Sequence, residues 1–218
     1  MTLTVDIQGS RYRFHRPADL ETLWQRMDDE DLGSDERIPY WVEIWPASIL
    51  LARWIARNRS LLADSRCLDL GCGLGLSASI AAESGAAVLG IDYELPALTY
   101  ARQSAWINNI PSVSWLQMDW RHPCLKPESV SFIWGAEILY ERRFFRPLLN
   151  LFAEALTPDG RIWLASPRRP VSDPFWQLLK DRGWPVRPLT EERIDFREYA
   201  MQVGLWEVRK PGKKRPGR

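Results

Sequence analysis

The sequence predicts an α/β fold, a doubly wound, mostly parallel sheet with helices on both faces. Two observations carry this. From Cys67 onward, short apolar runs alternate with helix-periodic segments, the pattern of parallel strands joined by crossover helices. The apolar runs also end on glycine or on acidic residues (Gly71, Asp92, Asp119, Glu137). That sets polar chemistry beyond the carboxyl ends of the strands, where open α/β sheets bind their ligands.

Taken in order, residues 67–70 ("CLDL") form a short strand running into Gly71, and the Ala-rich stretch 77–85 is a helix that stops at a glycine. Residues 86–92 are a strand, and 94–109 have helical periodicity that ends at Asn-Asn before Pro111. Strands follow at 112–119 and 129–137, then a helix at 143–156 with Pro147 near its first turn. "TPDG" (157–160) is a turn and 161–167 a strand. Residues 173–183 are a helix with Asp173 as N-cap and Pro174 at its first position. The last strand is 199–210, where Gly204 marks a bulge.

A length of 218 residues suits one domain. We divide it into an N-terminal extension (1–37), a main domain (38–210) and a basic tail (211–218). The apolar fraction, 45%, is that of a chain with a real core. A formal net charge of +1 argues against nucleic acid as a partner of the whole molecule. Charge is local instead. Asp19–Glu36 holds eight acidic residues and one Arg, and the last ten residues hold six basic ones and no acidic one. That tail reads as a solvated end, with an acidic partner as the alternative. Three cysteines (Cys67, Cys72, Cys124) without a CxxC pair form no disulfide framework, which predicts a reducing, cytoplasmic setting. Two distant histidines, His15 and His122, predict no metal site. No apolar run reaches the ~18 residues of a membrane span, and "MTLTVDIQGS" lacks the basic start and apolar core of a signal peptide.

The strand ends carry the chemistry. In "DLGCGLGL", Gly71, Gly73 and Gly75 allow a tight strand-to-helix turn and close backbone approach to a ligand. Gly73, Gly75 and Ala78 also satisfy G-x-G-x-x-A, which leaves a nicotinamide dinucleotide open. Asp69 argues for another ligand. A pyrophosphate seeks N–H groups and positive potential, whereas S-adenosylmethionine carries a sulfonium and an ammonium. Asp69 would meet that ammonium, or else brace its own loop. Asp92 can bind both hydroxyls of an adenosine ribose. Asp119 can accept from the adenine amine, or cap a turn. Glu137 and Tyr140 stand where this fold would place the methyl acceptor, the carboxylate to orient an amine and the phenol beside it. The alternative is a helix-starting Glu with a packed Tyr. Arg168 and Arg169 follow the next strand and either contact an acid on the substrate or are solvated.

With these elements in this order, the chain resembles the class I, seven-stranded S-adenosylmethionine-dependent methyltransferases. "PYWVEIWPASILLARW", "LDLGCGLGL" and "GAEILYE" together resemble the protein-lysine methyltransferases that include the electron-transfer-flavoprotein β-subunit lysine methyltransferase. Many members carry Asp where this chain has Glu137. The resemblance implies a seven-stranded sheet, S-adenosylmethionine as methyl donor and a protein lysine as acceptor. It also implies that Trp45 and Pro46 cover the donor while Tyr40 and Trp41 wall the acceptor channel. An aromatic wall suits a cation. Readings of another class are a nicotinamide-dependent oxidoreductase, or a module that binds a cofactor without turnover. Small-molecule and RNA acceptors stand as alternatives within the first class.

Overall fold

Apolar residues alternate at Leu3, Val5 and Ile7 and again at Tyr12 and Phe14, and they build β1 (Thr2–Ile7) and β2 (Ser10–His15). These pair antiparallel. Gln8 and Gly9, with φ of 51° and 85°, make the two-residue turn between them, a geometry that follows the strand twist. The computed structural model describes residues 1–27 and 38–212. The greater part of the acidic run after Asp19 and most of the basic tail therefore lie outside the described residues. Asp19 itself caps α1 (Leu20–Trp24), its carboxylate accepting the Thr22 N–H at 2.8 Å.

The aromatic segment forms one 3₁₀ turn at Tyr40–Val42 and then enters α2 (Pro46–Arg57), with Pro46 in the first turn. A fixed φ and a missing N–H cost nothing there. A short α3 (Arg59–Leu62) leads into β3 (Arg66–Leu70). The alternation then runs α4 (Leu76–Ala82), β4 (Ala87–Asp92), α5 (Leu95–Ile107), β5 (Ser114–Gln117), β6 (Val130–Ala136), α6 (Phe145–Ala155), β7 (Leu156–Pro167), α7 (Asp173–Asp181), β8 (Val186–Phe196) and β9 (Tyr199–Arg209).

The main sheet has seven strands in the order β5-β4-β3-β6-β7-β9-β8. β3, β4, β5, β6 and β7 pair in parallel, and β9 runs antiparallel to both its neighbours. Strand order reverses between β3 and β6, which makes the crevice above their carboxyl ends the switch point where ligands bind. One buried cluster (Leu50, Leu51, Ile55, Trp134, Trp163) joins α2 and the hairpin to one face of the sheet. The other (Leu68, Ile133, Leu148, Phe152, Phe175) lies under α6 and α7. The hairpin is fixed to α5 by polar contacts as well. Asn108 accepts the Arg13 N–H at 2.9 Å and donates to its carbonyl at 2.6 Å, and Ser104 accepts the His15 N–H at 3.0 Å.

Three local expectations change. Residues 157–160 are not a turn but part of β7, where Val130 pairs with Leu156 and Phe132 with Arg161. The extra residues are absorbed as a bulge that holds Pro158, which has no N–H to give the ladder. Gly204 marks no bulge. It pairs with Ser166 and Glu191, and a Cβ there would sit 2.3 Å from the Trp206 ring. α7 begins at Asp173 with Ser172 before it, one residue earlier than expected.

Candidate active site

A cavity of about 440 Å³ opens above the carboxyl ends of β3, β4 and β6, a size that suits a nucleoside-sized ligand. Tyr40, Trp41, Trp45, Asp69, Gly71, Gly73, Asp92, Asp119, Glu137 and Tyr140 all line it. Gly75 stands apart from the lining. It caps α4 with φ 83°, and a Cβ there would meet the Trp115 ring at 2.6 Å, so it serves the packing of the turn.

The donor end is built by backbone. After β3 the chain turns through Gly71 and Gly73, at φ 61° and 50°, a region open to glycine at no steric cost. The Gly73 N–H donates to Asp92 Oδ2 at 2.9 Å, and Asp92 Oδ1 accepts the Glu94 N–H at 3.0 Å. A carboxylate offers about four acceptor sites, so each Asp92 oxygen keeps one for a ligand hydroxyl. Asp119 is held in the same way, accepting the Arg121 N–H at 2.8 Å and its Nε at 2.7 Å. Asp69 differs. It is buried, and its Oδ2 has no hydrogen-bond partner among the described residues. Burial pushes its carboxyl up to about 7 and that of Asp92 to about 6. Carboxylates placed this way are short of a cation.

The aromatic segment closes over this end. A Cβ on Gly73 would lie 3.4 Å from the Trp41 carbonyl, so loop sits on loop. Trp45 donates its indole N–H to the Tyr40 carbonyl at 3.0 Å and lays its ring 4.8 Å from that of Tyr199. Trp41 stacks on Tyr100 of α5 at 5.8 Å, which ties part of its area to the core. Glu43, the one carboxylate among these rings, forms a buried ion pair with Arg16 and accepts the Leu20 N–H at 3.1 Å. It therefore binds the aromatic segment to the residues after the hairpin.

The end expected to receive the methyl acceptor is built by side chains. Glu137 follows β6 with φ 57°, a left-handed conformation that costs a non-glycine residue about 1–2 kcal/mol and that persists where function demands it. Burial raises its carboxyl to about 7, partly offset by Arg169. Its Oε2 lies 3.2 Å from Arg169 Nη1, and its Oε1 is buried without a partner among the described residues. Tyr140 sits edge-on to Tyr40 at 6.0 Å, and Phe144 to Tyr140 at 6.5 Å. Both tyrosines are partly exposed, so this ring of aromatics forms the mouth. Arg168 turns away to Glu191, at 2.9 Å. The sequence reading gave no role to Tyr93, Glu94, Met118, Trp120 or Ile138, which also line the cavity. Each follows a strand end by a residue or two, or precedes one, and that position was the available signal.

Known proteins place this arrangement. A family model described as a methyltransferase domain matches residues 67–160. The chain is 32% identical over 131 residues to the histone-arginine methyltransferase METTL23 of Xenopus laevis, covering 57% of this chain and 56% of that one. It is 30% identical over 129 residues to the human protein of that name, covering 55% and 67%. Protein N-lysine methyltransferase METTL21A of Xenopus tropicalis is 29% identical over 143 residues, covering 63% and 66%. The chain spans about half the length of the first curated relatives it matches. In structure it resembles the YcgJ protein of Bacillus subtilis (TM-score 0.63, 13% identity, covering 75% and 99%) and the ribosomal protein L11 methylase of Lactobacillus delbrueckii subsp. bulgaricus (0.56, 20%, 73% and 77%). These likenesses show the fold. The chain belongs to the class I S-adenosylmethionine-dependent methyltransferases, in the METTL23-like family. The narrower expectation, the electron-transfer-flavoprotein lysine methyltransferase type, rests on a Danio rerio relative 38% identical over 73 residues, covering 33% of this chain and 28% of that one. That match supports the family and not the type.

Proposed function

We propose that the protein transfers a methyl group from S-adenosylmethionine to a side-chain nitrogen of a protein substrate, and that the nitrogen is a lysine amine. The carrying observation is Glu137. It is a largely covered carboxylate, its side chain 12% exposed, held in a left-handed conformation with one oxygen unpartnered among the described residues, beside the aromatic mouth.

The cavity fits the donor. Its ammonium answers the unpartnered oxygen of Asp69, and its ribose diol answers the two open acceptor sites on Asp92. Asp119 has acceptor capacity left for the adenine amine. Bound there, the donor supplies an electrophilic methyl on a positively charged sulfur. The chain's part is positioning, which is worth several kcal/mol when the reacting atoms are held in line. Trp41 and Trp45 exclude water from above. Glu137 and Tyr140 orient the amine. A lysine ammonium first loses its proton to water. With the donor bound, Glu137 and Tyr140 would hold the neutral amine in line with that methyl, so that the S–C bonding pair would stay with sulfur as the N–C bond forms. No covalent enzyme intermediate is required.

Arginine as acceptor is the second reading, favoured by the printed names of the METTL23 relatives. Both are tested by incubating the protein with tritiated-methyl donor and lysate from cells that lack it, then hydrolysing the labelled proteins to amino acids. Label in methyl-lysine is expected. Label in methylarginine supports the second reading, and label in RNA or small molecules only would defeat both.

A further inference from the structure

Among the described residues, the acceptor end holds two carboxylates, and each has a cation. Glu137 Oε2 lies 3.2 Å from Arg169 Nη1, and Glu141 Oε2 lies 2.5 Å from Arg143 Nε. Both pairs line the cavity. Among the described residues, the carboxylates at this end are therefore paired before any substrate arrives, whereas Asp69 and Asp92 at the donor end have no cation.

We propose that Arg169 is the residue that selects the acceptor, making the site take an amine and reject a guanidinium. This rests on the reading of the protein as a protein N-methyltransferase. A guanidinium cannot shed its charge near neutral pH. To bind Glu137 it would have to share that carboxylate with Arg169, as a second fixed cation a few ångströms from the first. Its two-pronged grip uses both carboxylate oxygens, so one prong would share Oε2 with the Arg169 guanidinium. An amine avoids both conflicts. It needs a single contact with the carboxylate, whose Oε1 has no partner among the described residues. It must also arrive neutral to attack, and a fixed positive charge nearby favours the neutral form of an amine. The same Arg169 charge thus opposes the permanent cation and helps the ionisable one. Arg169 reaches Glu137 from the residues just after β7, with its side chain 39% exposed, so replacing it leaves no hole in the core.

The test compares wild type with Arg169→Met, which keeps length without charge, Arg169→Gln as a second neutral variant, and Arg169→Lys, which restores the charge. The first readout is the ratio of methylarginine to methyl-lysine in labelled lysate protein. The second, independent of turnover, is the affinity of n-butylguanidinium, followed by tryptophan fluorescence. The neutral variants should raise the ratio and tighten n-butylguanidinium binding by about 10-fold each, the scale of one unit of charge–charge interaction. Arg169→Lys should return both toward wild type. The proposal is overturned if the neutral variants, with unchanged melting temperature, leave both readouts within about twofold of wild type, or if Arg169→Lys behaves as they do. Predominant methylarginine from the wild type overturns it as well. If wild type labels no protein, the reading of function falls, and the guanidinium affinities still judge Arg169 separately.

Discussion

The donor and acceptor ends of the cavity lie side by side and are built on opposite plans. At the donor end, backbone N–H groups of Gly73, Glu94 and Arg121 fix the carboxylates of Asp92 and Asp119. The turns that follow β3, β4 and β5 set their positions. At the acceptor end, Glu137, Tyr140, Tyr40 and Arg169 are arranged by side-chain contacts on irregular backbone. A site built on backbone holds one ligand well. A site built on side chains can be retuned one residue at a time without disturbing the other.

The strongest challenge to this contrast targets the ion pair that holds the aromatic cover. Arg16→Met leaves Glu43 charged, buried and unpaired, which should cost about 3–5 kcal/mol of stability, read as a lower midpoint in urea unfolding. The double replacement Arg16→Met with Glu43→Leu should recover most of it. If the single variant is as stable as wild type, the pair does not hold the cover.

Glu137→Gln keeps shape and loses charge. Turnover should fall roughly 10- to 1000-fold while donor affinity stays near wild type. If stability falls and turnover per folded molecule does not, Glu137 is a structural residue. Asp92→Ala should do the reverse and weaken donor binding by about 1–3 kcal/mol in a calorimetric titration. Unchanged affinity in a folded variant would count against the ribose assignment.

The smallest effect is in pH. The folded-state pKa of Asp69 and Asp92 is raised, to about 7 and about 6. The folded, ligand-free protein therefore holds more protons than the unfolded chain between about pH 4 and 7, and stability falls as pH rises through that window. The added stability on binding the cationic donor should grow over the same window, as the carboxylates ionise. Asp69→Asn should flatten both slopes in melting curves recorded from pH 5 to 8. Parallel slopes in wild type and variant would remove Asp69 from the donor's ammonium.

The strand ends are legible in the sequence because Asp92, Asp119 and Glu137 each close an apolar run and Asp69 stands two residues before the glycine that closes another, and a run's end is a place in the fold. All four line the cavity. The ion pair of Glu43 was not legible, since Arg16 lies 27 residues away and only the folded path brings it near. β8 was missed for a different reason. It is an edge strand with Ile194 as its one buried residue, so "VRPLTEERIDF" shows no apolar alternation. The hairpin of β1 and β2 does show it, at Leu3, Val5 and Ile7. There the signal was present in a stretch read only for targeting. Gly75 matched a ligand-binding pattern, yet its space is filled by Trp115, a partner that no local pattern reveals.

The left-handed backbone at Glu137 has a consequence for how such a gene drifts. On the proposed role of Glu137, activity would keep a carboxylate there against a standing conformational cost, whereas stability alone would pull toward glycine or asparagine, which tolerate that conformation. A lineage that keeps the fold but abandons methyl transfer should lose its acid at this position earlier than at Asp92, whose two hydrogen bonds hold the loop together with or without a ligand. Position 137 is thus a clock for retired catalysts, readable in any collection of descendants without an assay.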